Sequence, residues 1–180
     1  RLVAGDHKTL AGAAFGFPGA SIAQSRAQAK GWRPTISSRS PLTIAGIPDR
    51  PCRFIELTRA VAAAARVTTH DGTICIACNM KEEPGIIFTR WRHGIDLPML
   101  LREASDSEET VLLLDALHTS LFAQALGDRR LVLLSQLEQE LVEDLDIGHA
   151  ETPDAVNRLA QQADSVCVLH EANRLCPQKI

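Results

Sequence analysis

The chain has 180 residues, 45% of them apolar, with a net charge of −3 and a pI of 6.1. That is enough apolar material for one good-sized core. It offers no basic run for nucleic acid and no apolar run near the roughly 20 residues that span a bilayer.

Residues Arg1–Ala4 and Thr9–Phe15 flank Gly5-Asp6-His7-Lys8, which predicts a β-hairpin. Gly16-Phe17-Pro18-Gly19 ends the strand, and Pro18 to Lys30 reads as a helix closed by Gly31. Pro34–Ser38 reads as a short buried strand. Arg39 to Pro51 carries Pro41, Pro48 and Pro51 and reads as a loop. Phe54, Leu57, Val61 and Ala65 then recur at steps of three and four, one face of a helix over Arg53–Arg66. His70-Asp71-Gly72 reads as a turn, with Gly72 free to take a positive φ. Thr73–Cys78 (TICIAC) follows as a strand apolar on both faces, the pattern of a sheet covered on both sides by helices.

Pro84 is placed to open a short helix in the polar stretch Asn79–Gly94, and Leu97–Glu103 reads as another after Asp96. Ser105-Asp106-Ser107-Glu108 is a helix-start signal. The helix it opens runs to Leu126, with Leu114, Leu117, Leu121 and Ala125 on its packing face and Gly127 as its stop. Leu131–Ser135, Ile147–Ala150 and Ser165–His170 read as strands, and Thr152-Pro153-Asp154 caps a helix to Gln162. Strands alternating with helices predict a doubly wound, parallel α/β sheet. Ligands of such sheets bind beyond the carboxyl ends of the strands. Those ends are expected at Ser37-Ser38, Asn79-Met80, Ser135-Gln136 and His170-Glu171.

Several segments, taken in order, resemble the C-terminal half of the nickel-pincer lactate racemase family. Ala14-Phe15-Gly16-Phe17-Pro18 with Ala23 and Arg26 is similar to its "AFAGDP…AHR" segment. Ile36-Ser37-Ser38-Arg39-Ser40-Pro41-Leu42 resembles its "V-S-S-G-G-Y-P-L-D" strand and loop, and Glu56-Leu57-Thr58-Arg59 sits where it has "Q-A-x-K". Ala65 to Gly72, Asp115 to Ser135 and Thr152 to His170 resemble its remaining helix and strand units. There are departures: Arg39-Ser40 replaces a Gly-Gly, Glu56 a Gln, Arg59 a Lys, Leu117 a Trp and Phe17 an Asp.

The resemblance implies a Rossmann-like, mostly parallel sheet with an N-terminal β-hairpin, as one domain over 1–180. Residues 1–31 would lead in from a missing half, and 32–180 would form the α/β core. It implies one wall of a cleft for a small 2-hydroxy acid, with Arg59, Glu56, Ser38 and Arg39 on the substrate side. The family moves a hydride from the substrate carbon to a nickel-pincer nucleotide and back. The Lys and His residues that carry that cofactor lie in the N-terminal half, so this chain is expected to hold no cofactor and no metal, and to be inactive alone. A full-length protein would be a racemase, an isomerase; a degenerate binding or assembly module of the same fold is the alternative. The implied partners are the N-terminal catalytic half of the same protein, the hydroxy acid, and, as an open option, a second copy of the chain. Neither nucleic acid nor membrane is expected.

The chain opens on Arg1 with no signal-peptide pattern, which reads as a processed terminus or a fragment. Five cysteines without regular spacing fit reduced thiols in a cytoplasm. Tyr is absent, and Trp32 and Trp91 are too few for stacking on bases.

Other candidates have competing readings. Glu56 and Arg59 are spaced i, i+3, either as a solvated surface pair or with Arg59 offered to a carboxylate. Cys75 and Cys78 lie in a strand, where i and i+3 point to opposite faces, and read as core thiols rather than a redox or zinc pair. Asp115 and His118 read as an exposed polar face opposite Leu114, Leu117 and Leu121, or as a general base with its orienter. His93 among Arg90, Arg92 and Glu83 is a loop switch or of no consequence. Gly16–Gly19 before a helix is not the dinucleotide fingerprint.

Overall fold

The computed structural model describes residues 2–4, 10–28, 33–49 and 51–179. The expected turn at Gly5–Lys8 and the stop at Gly31 lie outside them, as does Trp32. Strands β1 (Leu2–Ala4) and β2 (Leu10–Ala13) pair antiparallel, as expected, and helix α1 spans Pro18–Gln28.

The core sheet holds β4 (Ser40–Gly46), β5 (Thr68–Ala77), β6 (Arg130–Leu134), β7 (Gly148–His149) and β8 (Val166–Leu169). All pairings are parallel, in the spatial order β7-β6-β5-β4-β8. Helix α2 (Phe54–Val67) links β4 to β5. Three helices, α3 (Ile86–Arg92), α4 (Leu97–Asp106) and α5 (Thr110–Leu126), link β5 to β6. Helix α6 (Gln139–Asp144) leads to β7, and α7 (Pro153–Gln162) carries the chain to β8 at the other edge.

Right-handed crossovers dictate the layers. The chain steps one way from β4 to β7, so α2, α5 and α6 cover one face, where Val61, Ile74, Ile76, Phe122, Leu133 and Val142 are buried. It then reverses to β8, so α7 covers the other face, packing Val156 against Leu42 and Cys75. Cys75 and Cys78 indeed belong to opposite faces, one in each cluster. Among the described residues no helix is long and apolar enough to cross a membrane.

Several expectations are corrected. The first concerns the proline-rich stretch expected as a loop, which contains β4, an interior strand of the sheet. Its ladder with β5 slips between Ser40 and Leu42, and pairing with β8 begins only at Leu42. Pro41 falls in that break, where its missing N–H is not needed. Second, the buried strand expected at Pro34–Ser38 is the two-residue β3 (Thr35–Ile36). It pairs with β9 (Gln178–Lys179) and is exposed at Thr35.

Third, His70-Asp71-Gly72 is no free turn but the bulge within β5 that matches the slip in β4. Gly72 is not at positive φ. It is glycine because a Cβ there would lie 2.6 Å from Thr68 Cγ2 and 2.7 Å from the Pro41 carbonyl oxygen. Fourth, the Leu114-Leu117-Leu121 stripe of α5 is exposed, together with Val111 and Leu113. The buried face is Ala116, Thr119, Phe122 and Leu126. Helix α5 is apolar nearly all round, so periodicity pointed to the leucine stripe, whereas packing chose a narrower face. Phe122 there joins Phe54, Phe88 and Trp91 in one aromatic cluster, with centroids 4.7–6.4 Å apart.

The helix ends follow local chemistry. Asp96 accepts the Met99 N–H at 3.3 Å, and Thr152 accepts that of Ala155 at 3.4 Å, with Pro153 in the first turn. Gly127 stops α5 at φ 56°. The Ser105–Glu108 start signal is displaced: Ser105 and Asp106 close α4, and α5 opens at Thr110. Helix α6 has no counterpart among the sequence-predicted elements. Its end is a Schellman turn, with Ile147 N–H to the Val142 oxygen (3.2 Å) and Asp146 N–H to that of Glu143 (2.9 Å). Arg92 secures this turn through the Leu145 and Asp146 carbonyls, both at 2.6 Å.

Candidate functional site

The direction of the chain reverses between β4 and β8, and a crevice beyond the carboxyl ends at such a point is the usual ligand position. Three of the four expected carboxyl ends hold: Asn79-Met80, Ser135-Gln136 and His170-Glu171 follow β5, β6 and β8. The fourth is Gly46-Ile47, because Ser37-Ser38 precede β4 rather than end a core strand. Backbone N–H groups fix this rim: Ile47 to the Ala77 oxygen at 2.9 Å, Cys78 to that of Leu134 at 3.0 Å and Gln136 to that of Met80 at 3.0 Å.

Side chains above the rim are polar and incompletely paired. Asn79 Nδ2 donates to Asp49 Oδ1 at 3.1 Å, while Asn79 Oδ1 is shielded and accepts nothing. Asn173, in a short 3-10 turn after β8, is buried with its Oδ1 likewise unpartnered. Two amide acceptors are thus left without donors beside the switch point, a costly state unless something supplies them. Glu171, at φ 51°, adopts the left-handed conformation that β-carbons resist and accepts Arg174 Nη1 at 3.0 Å. The Cys78 thiol beneath is lowered by its hydrogen bond with Cys52, an effect opposed by burial.

The four residues expected to face substrate do not come together. Glu56 and Arg59 lie in the first turns of α2, which leaves the carboxyl edge. Ser38 and Arg39 lie before β4, at the amino edge. Strand β4 is seven residues long, so it separates the two pairs by roughly 20 Å. Glu56 pairs backward, not with Arg59. Its carboxylate accepts the Arg53 N–H at 3.1 Å and sits 3.8 Å from Arg53 Nε, which closes the first turn of α2. Arg59 is exposed.

Asp115 is neither on an exposed face nor a base oriented by His118. Its Oδ2 accepts the Ile87 N–H at 2.7 Å and so caps α3 from a neighbouring helix. Burial raises its carboxyl above the usual range, against that hydrogen bond. A Cβ at Gly85 would fall on this carboxyl group. His93 meets Asp144 at 2.8 Å and, beside Arg92, ties α3 to the end of α6. Sequence reasoning missed the Asp49–Asn79 pair and Asn173. The only signal was an Asn directly after an apolar strand.

The fold has solved counterparts. The chain superposes over 98% of its length on the lactate racemase apoprotein of Thermoanaerobacterium thermosaccharolyticum, with TM-score 0.75 and 14% identity, covering 45% of that protein. It matches a protein of Thermotoga maritima over 92% of its length, with TM-score 0.61 and 12% identity, covering 43% of that chain. No family model and no curated protein sequence matches the chain. At these identities the likeness establishes the fold, and the chain spans less than half of either neighbour. Among the described residues no three His, Cys, Asp or Glu side chains converge as metal ligands.

Proposed function

We propose that this chain is one half of a two-part protein built like lactate racemase, its carboxyl edge forming one wall of a cleft for a small 2-hydroxy acid. The observation that carries the reading is the superposition of nearly the whole chain on one stretch of the racemase apoprotein. The unpartnered oxygens of Asn79 and Asn173 support it, since a substrate hydroxyl is the donor they lack. Arg59, exposed near the same edge, offers a guanidinium fork to a carboxylate. Ser38 and Arg39, on the far side of the sheet, take no part in this cleft. The chain orients substrate, and the reacting groups sit on the other half, in a cytoplasmic setting.

The test is to incubate the purified chain with L-lactate and follow D-lactate, while an NMR titration follows the side-chain amides of Asn79 and Asn173. Amide shifts without turnover are expected. Turnover by the chain alone, or no amide shift on titration with lactate, would sink the proposal. A non-catalytic module of the same fold is the second reading, favoured by the separation of the two expected residue pairs. It predicts no response of Asn79 to lactate.

A further inference from the structure

We propose that the amino edge of the sheet binds a phosphate-type oxyanion between Arg39, His70 and Arg129. This inference is independent of the cleft, because it uses the opposite ends of the strands.

Topology makes the cluster. Arg39 directly precedes β4, His70 sits in the bulge of β5, and Arg129 directly precedes β6. These three strands are neighbours, so residues 30 and more apart in sequence arrive at one edge. Arg39 Nη1 lies 3.1 Å from His70 Nε2. A guanidinium only donates, so His70 Nε2 is the acceptor of this contact. Two basic groups are thus in direct contact. Arg129 is held in place by carbonyl oxygens, Nη1 to Leu126 at 3.1 Å and Nη2 to Thr68 at 3.4 Å. Among the described residues neither guanidinium has a carboxylate within 4 Å.

Both also carry an Nε that is shielded from solvent and has no acceptor. Proteins rarely leave such donors unmet. Burial, then the nearby charge of Arg39, holds Arg129 below its ordinary pKa, with the charge of Asp128 opposing both, so the two cations feel each other. Arg66, in the last turn of α2, and Arg130, opening β6, add charge at this edge. The acids on these loops are Asp71 and Asp128, both exposed. Arg129 also lines an open cavity of about 590 Å³ at the start of β6, whose wall includes Asp128, Glu143 and Asp146 but neither Arg39 nor His70. Two rigid forks and an imidazole, arriving from three strands, suit a tetrahedral anion with several acceptor oxygens better than a planar carboxylate.

The experiment uses the whole chain. Thermal unfolding and calorimetric titration compare sodium phosphate with sodium acetate and sodium chloride at matched ionic strength, and NMR follows the His70 ring. Phosphate is expected to raise the melting temperature above both controls and to shift the His70 resonances. Arg39→Gln and His70→Gln should each weaken phosphate binding about tenfold or more. Arg102→Gln, exposed on α4, should leave it unchanged. Arg129 is left intact, since its carbonyl contacts hold the fold. No phosphate response in the wild type, an equal response to acetate or chloride, or undiminished binding in both Arg39→Gln and His70→Gln would overturn the proposal.

Discussion

Replacing Phe122 tests how α5 was assigned its inner face. The ring is fully buried. It stands 5.0 Å from Phe88 at 88°, 5.6 Å from Phe54 at 28° and 6.4 Å from Trp91 at 75°. Phe122→Ala removes all three contacts and opens a cavity that surrounding rings fill poorly, so it should cost about 3–5 kcal/mol. In a chain of 180 residues that lowers the melting temperature by on the order of 10 °C. Leu117→Ala is the companion variant. Leu117 is 53% exposed on the same helix, and Leu and Ala propagate helices almost equally well. Its cost should stay within about 0.5 kcal/mol. Guanidinium unfolding followed by circular dichroism measures both, and Trp91 fluorescence reports on the cluster directly. If Leu117→Ala costs as much as Phe122→Ala, α5 packs through its leucine stripe and the layer arrangement described here is wrong.

Other side chains carry their own expected outcomes. Asp115→Ala should cost about 1–2 kcal/mol by orphaning the Ile87 N–H, whereas Asp115→Asn keeps an acceptor and should cost less than half as much; equal losses in chemical denaturation would argue against the cap. Gly85→Ala should destabilise by about 1–3 kcal/mol, because its Cβ would meet the Asp115 carboxyl, while Gly19→Ala, with nothing within 4 Å, should be neutral or slightly stabilising. Burial pushes the Cys75 thiol from 9.0 up to about 11. The folded chain keeps that proton longer than the unfolded chain does, so the contribution is whole below pH 9. It is lost as pH rises toward 11, by about 2–3 kcal/mol. Cys75→Ala should flatten that alkaline limb in pH-dependent unfolding, and an unchanged slope would show that other groups cause it.

Local signals were enough wherever the physics is local. Asp96, Thr152-Pro153 and Gly127 announce helix ends because caps and stops act within one turn. The run Thr73–Cys78 announces a strand covered on both sides because every residue in it is small or apolar. The alternation of such units was enough for a parallel, doubly wound sheet, as the strand order bears out. What escaped the sequence depends on partners distant along the chain. Pro41 argues against a strand until the ladder breaks opposite it. Gly72 looks like a turn residue until the Pro41 carbonyl closes on it. The α5 helix offers two apolar faces, and only the rings of α2 and α3 decide between them. Arg39 and Arg59 look like one site until β4 is placed between them. Composition and spacing determine which elements form, since those energies are summed over neighbours in sequence. Register, facing and the meeting of distant charges are set by contacts that exist only once the sheet has closed.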